Sequence, residues 1–180
     1  MLFEIYLFKV EDYLVDVVKR LLEYFQDSRY FFRNLDSVPD KCFYEPRKQY
    51  RGDYINRWLN EVREEEDSIV IGLLNIDAYV PPLNFVFGVA SPYYNVCSVY
   101  LPRLSFGVDT KIIEERVFKE VLHELGHIFG MKHCDNKRCV MAFSNSIIEV
   151  DQKTGRLCSK HFNIFAKRNI IVSDNLLLRE

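Results

Sequence analysis

The chain has 180 residues, of which 48% are hydrophobic and 14% aromatic, enough for one domain with a real core and too much for a disordered chain. Seven glycines and six prolines exclude collagen-like and low-complexity architectures. With 24 basic against 26 acidic residues the formal charge is -2, the wrong sign for a dedicated nucleic-acid binder. Five cysteines, an odd number in a chain of ordinary core size, argue against a disulfide-stapled secreted fold. Beside four histidines they point to reduced thiols and metal.

In chain order, residues 2–8 read as a first strand. Glu4 lies inside that apolar run and no basic segment precedes it, so a signal peptide is not expected and the expected setting is cytoplasmic. No apolar stretch approaches the ~20 residues needed to span a bilayer. Leu14, Val17, Val18, Leu21, Leu22 and Phe25 repeat with the period of one helix face. Residues 30–35 suggest a second strand, before a loop broken by Pro39 and Pro46. Tyr54, Trp58, Leu59 and Val62 mark a second amphipathic helix, which runs into the acidic stretch Glu64–Asp67. Three further strands are expected over 68–74, 84–90 and 96–101, with turns at Pro81-Pro82 and Ser91-Pro92. Asp109 or Thr110 caps a long helix carrying Ile113, Val117, Val121, Leu122, Leu125 and Ile128, which stops at Gly130. A loop-rich stretch leads to Gly155, then a last helix over 159–167 and a polar-ended tail. This order predicts a mixed α/β layer with a helical and irregular C-terminal third. We expect one domain over 1–180, with a shallow division between 1–130 and 131–180.

The long helix ends in His123-Glu-Leu-Gly-His127-Ile-Phe-Gly130-Met-Lys-His133. His123 and His127, four residues apart, share a helix face, and two neutral imidazoles on one face suit a single Zn²⁺. Glu124 projects about 100° round the helix from His123, where it can flank the metal without ligating it and serve as general base for a metal-activated water. His133 is too far along to ligate from an unbroken helix. Gly130 removes the difficulty, because glycine tolerates the left-handed conformation that stops a helix and turns the chain back. Gly126 leaves room for backbone or substrate to approach the helix.

These residues resemble the metzincin zinc-peptidase signature. The resemblance implies a methionine-containing turn beneath the metal, for which Met141 is the candidate. Where some metzincins carry a tyrosine two residues beyond that methionine, this chain has Phe143.

A second constellation follows at once: Cys134-x₄-Cys139-x-Met141, then Cys158-Ser-Lys-His161. Three thiols and an imidazole have the composition of a closed structural zinc site. Cys158 opens the last helix, whose N-terminus favours a thiolate. Metzincin histidines running straight into Cys-x₄-Cys-x-Met, with a later paired motif, resemble the archaemetzincins, most specifically over 123–161. That family's usual closing motif is Cys-x-x-Cys; His161 stands in its last position here, so the expected site is Cys₃His.

The resemblance implies a twisted, mostly parallel sheet with an antiparallel edge strand packed by helices, and a small zinc-stabilised C-terminal part. It implies a zinc-dependent peptidase holding two zinc ions per chain. His123, His127 and His133 would hold the catalytic ion, with Glu124 as base, and Cys134, Cys139, Cys158 and His161 the structural one. A peptide or protein substrate would pair with the edge strand, for which 84–90 is the candidate, and 143–146 would wall the primed side. Neither nucleic acid nor membrane is an expected partner, and a monomer is expected. Two alternatives remain at this point. One is a catalytically silent zinc-binding or regulatory protein on the same fold. The other is a peptidase whose third ligand is Glu149, disfavoured because 147–154 reads as loop. Cys42 and Cys97, without partners at ligand spacing, read as inert buried thiols. Arg47, Lys48, Arg51 and Arg57 read as a diffuse basic face.

Overall fold

The computed structural model describes residues 1–179. Strand β1 (Leu2–Phe8) is followed by helix α1 (Asp12–Leu22) and strand β2 (Arg29–Asn34). Two short strands, β3 (Phe43–Tyr44) and β4 (Gln49–Arg51), precede helix α2 (Gly52–Val62). Then come β5 (Ile69–Leu74), β6 (Ala78–Tyr79), β7 (Gly88–Ser91) and β8 (Val96–Tyr100). Helices α3 (Pro102–Ser105), α4 (Thr110–Ile128), α5 (Ile147–Gln152) and α6 (Ser159–Lys167) complete the order.

The main sheet runs β2-β1-β5-β8-β7. Its first four strands are parallel, and β7 lies antiparallel on β8 at the edge, with Ala90 opposite Cys97. Strands β5 and β8 are buried throughout, which is why they read as unbroken apolar runs. Alternate residues serve two layers. Phe3, Ile5, Leu7, Ile71 and Leu73 pack with α1 and α4 in one core; Tyr6, Phe8, Val70, Leu74 and Tyr100 pack with α2 in the other. The first core continues past Gly130 without a break, because Phe25, Phe129 and Phe165 meet with ring centroids 5.3–5.7 Å apart. The tail closes over it: Val172 bridges to Phe25, Leu177 bridges to Leu157, and Leu176 is buried.

Several expectations need correction. Residues 84–87 are not strand; only Gly88–Ser91 pairs with β8. Helix α2 buries Ile55, Asn56, Trp58 and Leu59, while Tyr54 and Val62 are exposed. Its buried Asn56 donates through Nδ2 to the Val89 carbonyl at 2.9 Å and accepts from Ser98 Oγ at 2.7 Å, so α2 fixes the edge strand. The proline-broken loop contains a three-stranded sheet, β3-β4-β6, too short to show any period. The stretch read as loop after Met141 contains α5, capped by Ser146.

Buried Glu4 on β1 explains an acidic residue inside an apolar strand. Its carboxylate accepts from the Glu64 and Glu65 amides at 2.9 and 2.8 Å, from Ser68 Oγ at 2.6 Å and from Tyr6 Oη at 2.9 Å. It thus pins the turn that leads into β5. Burial acts to raise its pKa, but these donors outweigh burial and leave it below its ordinary value of 4.5. The stabilisation from Glu4 is therefore present above pH about 4.5 and lost as pH falls through the lower folded value. Glu4→Gln should unfold at lower denaturant concentration at neutral pH, by roughly 1–3 kcal/mol. The deficit should shrink as the pH is lowered below 4, which paired urea titrations at both pH values would measure.

Candidate active site

Asp109 caps α4, its Oδ1 accepting from the Ile112 amide at 3.0 Å. From Val121 to Gly126 every residue of the helix is buried, so its far end lies in the interior, between sheet and C-terminal segment. The chain leaves α4 through a glycine turn. Gly130 has φ +79°, its amide donates to the His127 carbonyl at 2.9 Å, and the Met131 amide donates to that of Gly126 at 2.9 Å. This hydrogen-bond pair, with a left-handed residue between helix and loop, is the favoured glycine stop.

That turn returns His133 to His123 and His127. One ligating atom from each lies within 4.8 Å of the others. His123 Nδ1–H donates to the Val140 carbonyl and His127 Nδ1–H to that of Met131, both at 2.8 Å. Carbonyls only accept, so both rings carry their proton on Nδ1 and turn a bare Nε2 inward. The two Nε2 atoms are 3.1 Å apart. Ligands of a tetrahedral zinc, about 2.0–2.1 Å from the ion, stand about 3.3 Å apart. Two facing lone pairs with no hydrogen between them repel, and a cation is what removes the repulsion. Burial lowers the pKa of His123, His127 and His133 below the ordinary 6.5, keeping the neutral, ligating form at pH 7. His133 is the exposed member, so the cluster opens to solvent on its side.

Beneath these rings the segment 139–141 meets the helix. A Cβ on Gly126 would come within 2.3 Å of Met141 Sδ, so the room left by this glycine is taken by methionine, not by substrate or backbone. Glu124 is buried at the wall of a cleft of about 530 Å³ that the three histidines share. Burial drives its carboxyl well above the ordinary 4.5; the nearby Glu120 adds to the rise, and Lys153 opposes it. Edge strand β7 crosses directly over it, since a Cβ on Gly88 would stand 2.6 Å from Glu124 Oε1. Phe143, Ser144 and Asn145 also line the cleft. The Phe143 ring lies 5.0 Å from that of His133, an apolar face without a phenol.

The second cluster draws Cys139 from the same segment. Cys134, Cys139, Cys158 and His161 place their ligating atoms within 4.8 Å of one another. Cys134 Sγ and Cys158 Sγ are 3.7 Å apart, far beyond a disulfide's ~2.05 Å and near the ~3.8 Å of two thiolates on a tetrahedral zinc. His161 Nε2–H donates to the Lys132 carbonyl at 3.0 Å, leaving Nδ1 bare and 3.2 Å from Cys158 Sγ. Burial pushes the Cys139 thiol up to about 12. Cys158 is also raised by burial, but the amides of Lys160 and His161 at the start of α6 bring it below its ordinary value.

The other nominated residues lie elsewhere. Glu149 caps its own helix, its Oε2 accepting from the Asn145 amide at 2.7 Å, and belongs to neither cluster. Cys42 and Cys97 are buried and unpaired. In the basic group, Arg51 is paired with Asp53 and Lys48 with Glu45. Sequence reasoning missed an ion pair lining the cleft, Lys153 Nζ to Glu120 Oε1 at 2.7 Å. Its only signal was Glu120 itself, three residues before His123 on the buried helix face; Lys153 sits in no periodic pattern.

The model of peptidase family M54 matches residues 2–167. The chain belongs to that family, the archaemetzincins. It is 36% identical to the archaemetzincin of Archaeoglobus fulgidus over 151 residues, covering 83% of this chain and 89% of that protein. The crystal structure of the Methanopyrus kandleri archaemetzincin superposes with a TM-score of 0.85 at 32% identity, covering 94% of this chain and 95% of that one. The Archaeoglobus fulgidus crystal structure, complexed with malonate, does so at 0.80 and 32% identity, covering 91% and 99%. As an archaemetzincin this protein is a zinc metallopeptidase. Among the described residues no helix is long and apolar enough to cross a membrane.

Close packing under the histidines makes Gly126 a sensitive position. Gly126→Ala should displace Met141 and cost about 1–3 kcal/mol of stability. It should also weaken zinc retention at the histidines, measured by metal analysis after stepwise dialysis against a chelator. Unchanged retention would show that Met141 does not support that cluster.

Proposed function

We propose that the protein hydrolyses peptide bonds with a zinc ion held by His123, His127 and His133 and with Glu124 as general base. The observation that carries this reading is a buried carboxylate flanking three convergent, neutral imidazoles inside an open cleft. A zinc ion there would act as a Lewis acid, polarising the scissile carbonyl and making water acidic enough to surrender a proton at neutral pH. Glu124, with its affinity for protons raised by burial, takes that proton and returns it to the leaving amine. Strand β7 orients an extended substrate through backbone hydrogen bonds, which makes binding tolerant of sequence. Its glycine at 88 lets the backbone close down on Glu124.

The second zinc, held by Cys134, Cys139, Cys158 and His161, has a structural role. It ties the segment after Gly130 to α6 and so holds both His133 and Met141, making 131–180 a metal-braced part of the single domain. Thiolate ligands and a closed shell make this the more slowly exchanging ion.

Purified protein should therefore contain two zinc ions per chain, and mild chelation should remove one together with all peptide cleavage. Glu124→Ala should keep both ions and lose cleavage by at least a hundredfold, the usual scale of general-base catalysis. Retention of full turnover in Glu124→Ala would remove Glu124 from the mechanism. Parallel His133→Ala and Glu149→Ala variants should differ, with only the first releasing the more labile ion.

A further inference from the structure

Strand β7 is the open edge of the main sheet, and its pairing with β8 fixes which of its main-chain groups are free. The Tyr100 amide donates to the Phe87 carbonyl at 2.9 Å, in the same antiparallel register that sets Gly88 opposite Val99 and Ala90 opposite Cys97. Hydrogen-bonded and non-hydrogen-bonded pairs alternate along such a ladder. Phe87, Val89 and Ser91 therefore turn their N–H and C=O groups in to β8, while Gly88 and Ala90 turn theirs out. Outside the sheet ladder, no backbone group of the described residues bonds to Gly88 or Ala90. The side chain that reaches the β7 backbone, Asn56, takes the Val89 carbonyl instead.

The open run stops on both sides. By the same alternation, Val86 and Pro92 are the next outward positions. Val86 has its amide engaged, donating to the Ala78 carbonyl of β6 at 3.0 Å. Pro92 has no N–H, and its carbonyl accepts from the Asn95 amide at 3.2 Å. Neither can extend a ladder with a full donor and acceptor. The edge thus presents two complete residues, Gly88 and Ala90, and both line the cleft that holds the three histidines and Glu124. An unpaired edge is a template for another extended chain. Whichever way that chain runs, its amides point alternately toward and away from the edge. The Gly88 and Ala90 carbonyls therefore meet two of its N–H groups, two residues apart.

We propose that β7 grips the substrate main chain at only two amides, two residues apart, and that the protein therefore acts on short linear peptides as readily as on long ones. A long edge would favour long extended chains, since every further pair of residues adds hydrogen bonds. Here a longer substrate meets Pro92 at one end and the β6-bound Val86 at the other, and adds none. The grip also lies beside the reacting groups, because a Cβ on Gly88 would meet the Glu124 carboxylate. A peptide that spans those two positions has already made every main-chain bond the edge can offer.

This inference rests on the peptidase reading, so its first arm is independent of turnover. A zinc-chelating peptide hydroxamate of five residues is N-methylated at one amide at a time and titrated by calorimetry into the zinc-loaded protein. Two positions, two residues apart, should each weaken binding about tenfold, the scale of one lost hydrogen bond with its partner left unpaired. The other positions should be tolerated, and lengthening the peptide should change affinity by less than about twofold. Ala90→Pro removes an outward N–H from an edge strand, where proline is accepted, and leaves the bonds to β8 in place. It should weaken the unmethylated compound about tenfold, with the circular dichroism spectrum and zinc content unchanged. If that variant does not fold, the methylation series on the unaltered protein decides alone. Sensitivity at adjacent amides, at three or more, or at none overturns the proposal, as does binding of no compound. In the second arm, end-blocked peptides of about five and fifteen residues sharing one core sequence are digested and compared by kcat/KM. Similar values are expected, and cleavage of the long peptide alone overturns the proposal. Cleavage of neither, with the methylation pattern intact, overturns the peptidase reading and leaves the two-amide grip standing.

Discussion

Two bare imidazole nitrogens 3.1 Å apart on one helix face are a repulsive arrangement, and much of this fold serves to hold it. Each ring is fixed by a backbone carbonyl from beyond the helix, Val140 for His123 and Met131 for His127. Those carbonyls are in place only because Gly130 turns the chain back and because Gly126 lets Met141 seat against α4. A bond from the Cys134 amide to the Met141 carbonyl, 2.9 Å, closes the loop between them. The histidines are therefore orientated by backbone, the least mobile set of partners a protein can supply, and a pre-set donor geometry loses little freedom when a metal arrives.

The same region concentrates the fold's departures from ordinary core chemistry. His123, Glu124, Glu120 and Lys153 are all buried polar groups, and they lie against one cleft. Elsewhere Glu4 accepts four hydrogen bonds, and Asn56 is held by Ser98, Ser91 and the β7 backbone. Buried ionisable groups are thus gathered at the cleft that holds the histidines, as functional sites commonly arrange them. Parallel strands, α1 and α2 supply the rigid frame against which that is tolerable.

What the sequence could reveal follows the range of each signal. Strands β1, β5 and β8 and helices α1, α4 and α6 were legible because their apolar runs or periods extend for five residues or more and their ends carry punctuation, such as Asp109 and Gly130. The paired strands β3, β4 and β6 have two or three residues each, below the length at which alternation exists. Helix α5 has one turn and a half, and its mark was a serine three residues before a glutamate, Ser146 and Glu149, a capping pattern without the apolar run that usually flags it. On α2 the error was of phase: Tyr54 and Val62 fit the period, but Asn56 and Gly52 occupy the buried face instead, because a polar link to Ser98 and a close approach to Val89 matter more there than hydrophobicity. Both candidate metal clusters were legible through ligand spacing, which is chemistry carried on short local stretches. Lys153 was not, since a lysine's burial depends on a partner 33 positions away and has no local signature.

Histidine in place of the family's usual fourth cysteine changes more than the donor atom. A cysteine thiolate at position 161 would offer sulfur to the metal and nothing further. The imidazole offers Nδ1 to the thiol cluster and, through Nε2–H, a hydrogen bond to the Lys132 carbonyl. Lys132 directly precedes His133, and Cys134 directly follows it, so successive residues belong to the second cluster's shell, the first cluster, and the second cluster again. Imidazole is the weaker donor to zinc beside three thiols, but its second nitrogen fastens the backbone that carries the exposed third histidine. On the proposed two-zinc reading, the exchange gives up donor strength at the closed site and gains a backbone tether beside the open one, where His133 is the exposed histidine.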